Sequence, residues 1–187
     1  MVKRSAGVLL YRRAPGGVEV LAGHMGGPFW ARKDAGAWSL PKGELEDGEE
    51  PFAVALREFE EELGSPCPAS DFTPLGEVRA SGKLLTFWAA EGDLDASACV
   101  SNTFAVEWPP RSGRVQEFPE IDRAAWFGLE QAREKLVKGQ LPFLDRLVDR
   151  AQVAMGGTCR FTPNSTSGHR ITAMTSDRIS DTPATEL

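Results

Sequence analysis

Hydrophobic and polar positions follow two different periods along the chain, and together they predict an α/β fold. The runs RSAGVLLYRR and GVEVLAGHM, separated by APGG, predict two strands joined by a turn at residues 14–17. The segment AWSLPKGE predicts a short strand broken at Pro41 and Gly43. Further strands are predicted at 72–79, 83–91, 101–108 and 123–128, and helices are predicted at 51–63, 129–138 and 142–154. This order of elements predicts a mixed sheet covered by helices.

The length and the distribution of apolar residues predict one domain followed by a tail. With 187 residues the chain can build one substantial core. After residue 154 the sequence is rich in Ser, Thr, Gly and Pro, and its few large apolar residues cannot offset the entropy lost on ordering. We therefore expect a domain at 1–154 and a disordered tail at 155–187.

Charge and cysteine content narrow the range of functions. A net charge of -6 argues against general binding to nucleic acid or to anionic membranes, and an acidic protein that handles phosphates would need cations. No apolar run is long enough to span a bilayer. The cysteines Cys67, Cys99 and Cys159 are widely separated and form no CxxC pair, so we expect neither disulfides nor a zinc site, and a cytoplasmic setting.

The segment REFEEELG, residues 57–64, places carboxylates at the C-terminal end of the helix predicted at 51–63. Pro51 suits the first turn of a helix, and Gly64 suits its left-handed C-terminal cap. The end of a helix carries partial negative charge, so each carboxylate there is unfavourable by a few tenths of a kcal/mol, roughly. A compensating interaction is therefore expected. The apolar stripe that would pack on the sheet consists of Phe52, Ala55, Leu56, Phe59 and Leu63.

Three of these carboxylates share one face of the predicted helix. Glu58 stands three and four positions before Glu61 and Glu62, so its side chain is their neighbour across one turn. Hard divalent cations such as Mg²⁺ or Mn²⁺ take oxygen ligands of this kind and would offset the repulsion. A solvated acidic helix end is the alternative, and these three residues alone leave both interpretations open.

The longer segment GELEDGEEPFAVALREFEEELG resembles the box of the Nudix hydrolase family, which reads G-x5-E-x7-R-E-U-x-E-E-x-G-U with U a bulky aliphatic residue. Ser65 departs from the pattern at the final U position. The resemblance covers about residues 3–152 as a fold and is highly specific at 38–64. It implies a Nudix-type α/β/α sandwich with a mixed central sheet. The matching residues are Gly43, Glu49, Arg57, Glu58, Phe59, Glu61, Glu62 and Gly64.

The resemblance implies a set of ligands for catalytic Mg²⁺ or Mn²⁺. The box carboxylates would hold the metal, and a backbone carbonyl of the preceding loop would add a ligand. Many relatives carry a further acidic ligand beyond the box, where this chain has Glu120, with Glu117 and Asp122 as neighbours that could take the role. The implied metal ligands are Gly43, Glu58, Glu61, Glu62 and Glu120.

The resemblance also implies catalytic and positioning roles. Glu58 is the leading choice for the general base, although the base differs between Nudix subfamilies. Arg57 would pair with Glu49 and tie the loop to the helix. Glu61 belongs to the same catalytic set. The box leaves position 60 free, and we expect Glu60 to be solvated.

Two segments resemble the diadenosine polyphosphate hydrolases within this family. WSLPKGE at 38–44 is similar to their W-x-L-P-K-G-E, which implies that Lys42 contacts a phosphate, with an exposed turn lysine as the alternative. Trp38 would be either a ligand contact or a packed strand residue. In KGQLPFLDRL, Phe143 would stack on adenine, with core packing as the alternative. The segments GGPFWARKDAGAW and EWPPRSGRVQEFPE depart from those hydrolases. Residues there that could reshape the pocket are Trp30, Arg32, Lys33, Arg111 and Arg114.

The resemblance implies metal-dependent hydrolysis of a pyrophosphate linkage in a nucleoside diphosphate linked to another moiety, with a dinucleoside polyphosphate as the preferred substrate. One alternative is a housecleaning pyrophosphatase for non-standard nucleoside triphosphates. Nucleotide sugars and inositol pyrophosphates are further away, the latter because a pI of 5.1 does not suit them. A non-catalytic nucleotide-sensing Nudix domain is the alternative of another class, but such domains often lose the box carboxylates, which are all present here.

Overall fold

The structure, a computed structural model, describes residues 2–154 and the side chains of residues 2–150. The tail predicted at 155–187 lies outside the described residues. The strands are β1 (Lys3–Ala14), β2 (Gly17–Met25), β3 (Trp38–Ser39), β4 (Lys42–Glu44), β5 (Phe72–Ala80), β6 (Lys83–Glu91), β7 (Thr103–Glu107), β8 (Val115–Pro119) and β9 (Ile121–Gly128). The helices are α1 (Pro51–Leu63), α2 (Leu129–Lys135) and α3 (Leu141–Ala154).

A seven-stranded sheet occupies the centre of the domain. Its order is β3-β2-β1-β6-β5, with β4 also paired to β1 and β9 also paired to β2. Strands β1 and β6 run parallel, and the other pairs in this sheet are antiparallel. The mixed sheet predicted from the sequence is therefore confirmed.

Each face of this sheet carries its own hydrophobic core. Leu9 packs in a cluster with side chains of α2 and α3, whereas its neighbours Val8 and Leu10 pack in a second cluster with side chains of α1. Successive strand residues point to opposite faces, so residues 5–10 of β1 are all buried because helices cover both sides. This arrangement is the predicted α/β/α sandwich.

Helix α1 begins and ends where the sequence predicts. The side chain of Glu50 accepts a hydrogen bond of 2.7 Å from the backbone N–H of Ala53, which satisfies one donor of the first turn. Gly64 adopts the left-handed conformation (φ 72°) and donates its N–H to the carbonyl of Glu60. The helix that carries the acidic residues is thus closed at both ends.

The buried face of α1 differs from the predicted stripe at several positions. Phe52 and Leu56 are only half-buried, and Phe52 packs at the margin of the sheet against Phe72 and Trp88. Glu62 also lies on the buried side, and a prediction based on apolar residues alone does not include it. The buried residues are Val54, Ala55, Phe59, Glu62 and Leu63.

A hairpin of β7 and β8 stands apart from the central sheet and is only half predicted. The two strands pair antiparallel, with Phe104 opposite Phe118. The sequence does not predict strand β8, because VQEFP has no regular alternation of apolar and polar residues and ends in proline. The hydrophobic pattern therefore does not predict this second, two-stranded sheet.

The second and third helices have slightly different bounds from those predicted. Helix α2 ends at Lys135 rather than 138, because Val137 leaves the helix and donates its N–H to the carbonyl of Trp38 in β3. A 3-10 turn at Lys138–Gln140 then leads into α3. Within residues 2–154, none of the helices is both long and apolar enough to cross a membrane.

Candidate active site

A cavity of about 370 Å³ lies where β4, α1, the end of β2 and the β7–β8 hairpin meet. One part of its lining is charged and the other is apolar. The charged part has one basic and four acidic side chains, so its formal charge is strongly negative. These polar and loop residues are Lys42, Gly43, Glu44, Glu58, Glu62 and Glu120.

Glu62 is the most deeply placed of these carboxylates. It is 8% exposed, and its Oε2 accepts a hydrogen bond of 3.2 Å from the backbone N–H of Lys42. Burial raises the pKa of Glu62 to about 7; the charge of Lys42 opposes this effect, and Glu120 and Glu58 reinforce it. An ionised Glu62 is therefore poorly compensated by the protein alone.

Glu58 lies directly against the loop that enters the box. A Cβ atom added to Gly43 would lie 1.9 Å from the Glu58 carboxyl carbon, so only glycine allows this close approach. Burial also raises the pKa of the Glu58 carboxyl, while the nearby Arg57 opposes that rise. The Glu58 carboxylate therefore packs directly against the backbone of Gly43.

Arg57 lies among three carboxylates at the margin of the site. Its guanidinium nitrogens are 3.5 Å from Glu49 Oε1, 3.1 Å from Glu58 Oε1 and 3.4 Å from Glu61 Oε2. The pair with Glu49 is the one that the resemblance implies. Glu61 faces Arg57 and is not part of the cavity lining, although it adjoins Glu62 along α1.

Of the three acidic candidates beyond the box, the structure brings Glu120 to the cavity. The carbonyl of Glu120 accepts a hydrogen bond of 2.8 Å from Gly26, and its N–H donates to the carbonyl of Asn102, so the backbone at this position is held from two sides. Glu117 lies exposed in β8, and Asp122 is engaged by His24. Glu120 remains a predicted ligand.

The donor chemistry of the cavity fits a hard divalent cation. Among the side chains that the structure describes, no three acidic, His or Cys groups are close enough to form a ready-made cation site. Nevertheless, Glu58, Glu62 and Glu120 all line the same cavity, and Lys42 is the one basic residue in its lining. Oxygen donors with excess negative charge suit Mg²⁺ or Mn²⁺.

A family model described as the NUDIX domain matches residues 1–147. The chain belongs to the Nudix family. As a Nudix pyrophosphohydrolase it hydrolyses a pyrophosphate linkage. A search of curated proteins gave no match.

Several solved structures share this Nudix fold. An Ap4A hydrolase from C. elegans, solved as a binary complex, is 21% identical with a TM-score of 0.54, over 80% of this chain and 98% of the other. The Nudix hydrolase RenU from M. smegmatis is 24% identical with a TM-score of 0.50, over 85% and 90%. The Nudix domain of Shewanella oneidensis NrtR, crystallised with ADP ribose, is 15% identical with a TM-score of 0.52, over 79% and 87%. At these identities the similarity shows a shared fold.

Two residues predicted to contact substrate lie instead in the core of the Nudix domain. Phe143 is 0% exposed, and its ring centroid is 4.6 Å from that of Phe87. Trp38 is 5% exposed, packs edge-on against Phe127, and donates its Nε1–H to Asp34. Neither ring offers an exposed face to a base, so the predicted stacking of Phe143 and ligand contact of Trp38 are corrected to core packing.

The loop between β2 and β3 contributes Trp30 to the cavity, whereas its basic residues Arg32 and Lys33 are not in the lining, and neither are Arg111 and Arg114 of the hairpin. Phe104 of β7 does line the cavity and was missed. The one sequence signal for it was an isolated aromatic residue in a weakly patterned segment.

His24 is a second residue that the sequence did not single out. It is fully buried in β2, with Nδ1 2.8 Å from Asp122 Oδ1 and Nε2 2.8 Å from the carbonyl of Lys33. These contacts link the end of β2 both to β9 and to the loop that carries Trp30. A single histidine in a strand pattern gives no sign of such a link.

Proposed function

We propose that this Nudix chain hydrolyses the pyrophosphate linkage of a nucleoside diphosphate joined to another moiety, that it requires Mg²⁺ or Mn²⁺, and that dinucleoside polyphosphates are preferred substrates. The observation that supports the proposal best is one cavity lined by Glu58, Glu62, Glu120 and Lys42. The glutamate oxygens of this cavity can bind a metal ion, and the ammonium group of Lys42 can bind a phosphate.

The carboxylates of Glu58, Glu62 and Glu120, together with the carbonyl of Gly43, would hold the ion, with Glu61 adjacent on α1. When bound, a divalent ion neutralises charge on phosphate oxygens and lowers the pKa of a coordinated water. Binding the ion would also compensate Glu62, whose charge burial makes unfavourable. This supplies the compensation expected for an acidic helix end.

The protein's own side chains would orient the phosphates and move a proton. Lys42 would bind a phosphate oxygen as a point charge. Glu58 would accept the proton of the attacking water, and burial, which raises the pKa of its carboxyl, makes the carboxylate a stronger base. Arg57, which lies 3.1 Å from Glu58, would hold that carboxylate in position through its links to Glu49.

Glu58→Gln tests this assignment. The variant preserves size but removes charge, so turnover in Mg²⁺ should fall by roughly 100-fold or more. Glu60→Gln on the exposed side of α1 is the matched control and should retain activity. If both variants hydrolyse nucleotides like the parent, the acidic cluster is only a solvated helix end. Equal losses in both would mean that overall charge matters rather than these positions.

The choice of substrate rests on WSLPKGE, because the burial of Phe143 removes the second feature shared with diadenosine polyphosphate hydrolases. Non-standard nucleoside triphosphates are the second candidate class. Both classes should be compared by kcat/KM in Mg²⁺, with product identification and with EDTA as the metal-free control. A higher kcat/KM for a nucleoside triphosphate than for diadenosine tetraphosphate would reject the preferred substrate.

A further inference from the structure

The apolar part of the cavity has no role in the chemistry proposed for its charged part. It contains two aromatic side chains, Trp30 from the β2–β3 loop and Phe104 from β7, beside Met25 and Ile121. Both aromatic rings are half-buried, unlike Phe143 or Phe87, which are 0% exposed. Partly exposed rings that line a phosphate-handling cavity have surface available for a ligand.

Trp30 is held in place by its own loop. Its N–H donates to the carbonyl of Gly27, and its carbonyl accepts a hydrogen bond of 2.7 Å from Lys33. The ammonium of Lys33 lies 4.5 Å from the centroid of the Trp30 ring, and the Lys33 carbonyl is bound by the buried His24. The loop therefore presents the indole from a fixed backbone.

Phe104 reaches the same cavity because the hairpin packs on that loop. Its ring covers Gly27, where the backbone has a φ of 82° and an added Cβ would lie 2.8 Å from Phe104 Cζ. Beyond the cavity, Phe29 packs edge-on against Trp108 of the hairpin, with ring centroids 5.3 Å apart. The loop and the hairpin thus pack together. We call the two aromatic residues that they contribute to the cavity, Trp30 and Phe104, the aromatic wall.

We propose that the aromatic wall binds the nucleobase of the substrate, so that the chain selects nucleotides over polyphosphates without a base. Aromatic side chains stack on any of the bases, and such stacking strengthens binding without base-specific hydrogen bonds. This inference rests on the proposed function for the position of the phosphates, which the charged part of the same cavity binds. It transfers the base-binding role from Phe143 to residues outside the core.

Equilibrium binding in Mg²⁺ separates this role from simple packing. The probes are the α,β-methylene analogue of ATP, which has a base, and inorganic tripolyphosphate, which has none. Trp30→Leu and Phe104→Leu should each raise the Kd of the nucleotide analogue by roughly fivefold or more and leave that of tripolyphosphate unchanged. Trp30→Phe and Phe104→Tyr, which keep a ring, should restore nucleotide binding and also show that the positions tolerate substitution.

Phe52→Leu and Val115→Ala are the controls. Phe52→Leu removes a half-buried ring at the margin of the sheet, Val115→Ala changes an exposed residue of the hairpin, and neither residue lines the cavity. Their binding of both probes should equal that of the parent. If Trp30→Leu or Phe104→Leu raises the Kd of both probes equally, or raises neither Kd, the aromatic wall is not a base site. Equal affinity of the parent for both probes also overturns the base site.

The same measurements distinguish failure of the inference from failure of the proposed function. A parent protein that binds the analogue through the aromatic wall but hydrolyses no nucleotide in Mg²⁺ contradicts the function and keeps the base site. A parent that hydrolyses nucleotides, with leucine variants of unchanged Kd, keeps the function and rejects the base site. Absence of binding to the analogue rejects the base site, and the hydrolysis assay then decides the function by itself.

Discussion

Replacing Glu62 by glutamine should make the metal-free protein more stable at alkaline pH, although it removes a residue of the candidate site. Burial raises the pKa of Glu62 from 4.5 to about 7 in the folded state. The folded state therefore binds this proton more tightly than the unfolded state, so stability is highest below pH 4.5, falls as the pH rises toward 7, and stays reduced above it.

The size of the effect follows from the pKa. Each pKa unit corresponds to about 1.4 kcal/mol, so ionised Glu62 lowers the free energy of unfolding by up to about 3 kcal/mol at pH 8. Glutamine has nearly the same shape, and its Oε1 can still accept the hydrogen bond from the Lys42 N–H. We therefore expect Glu62→Gln to recover most of this free energy at pH 8 and none of it near pH 4.

Urea unfolding in EDTA at pH 4 and pH 8 measures the difference directly, with Glu60→Gln as the exposed control on the same helix. The control should change stability by less than about 0.5 kcal/mol at either pH. A Glu62→Gln protein that is less stable than the parent at pH 8 would refute the reasoning, because it would mean that the ionised carboxylate already makes net favourable contacts.

Three further predictions concern other parts of the chain. Gly43→Ala should lower turnover by roughly 100-fold, because its Cβ would displace the Glu58 carboxylate, and a parent-like kcat would contradict that contact. Phe143→Leu should lower the free energy of unfolding by about 1 kcal/mol or more and leave the nucleotide KM unchanged, as steady-state kinetics and urea unfolding can check. Truncation after residue 155 should change neither Tm nor kcat, and a clear loss of either would show that the tail contributes.

The central helix and most strands could be predicted because their signals are local. Pro51 and Gly64 delimit α1 at the residues that the structure shows, and the apolar runs of β1, β2, β5 and β6 are long enough to be distinct. The mixed sheet followed from the order of these elements. The Nudix box is a local signal too, because all of its positions lie within residues 43–65.

The apolar part of the candidate site could not be predicted, because it depends on contacts between distant segments. Phe104 reaches the cavity only when β7 pairs with β8 and the hairpin packs over Gly27. The sequence resemblance implied that Phe143 stacks on adenine, but the packing of α3 on the sheet buries its ring against Phe87. An aromatic residue in a sequence does not indicate whether its ring faces a core or a cavity.

The same limit applies to the three glutamates that share one face of α1. Helical spacing alone makes Glu61 and Glu62 equivalent neighbours of Glu58. In the folded domain the two residues have different surroundings. Glu62 is 8% exposed beneath the loop at Lys42, whereas the Glu61 side chain is 39% exposed and lies beside Arg57. Because the unfavourable charge is concentrated at Glu62, that residue should gain most from a bound cation. Mg²⁺ should therefore stabilise the parent more than Glu62→Gln at pH 8, and thermal unfolding with and without the ion can measure this difference.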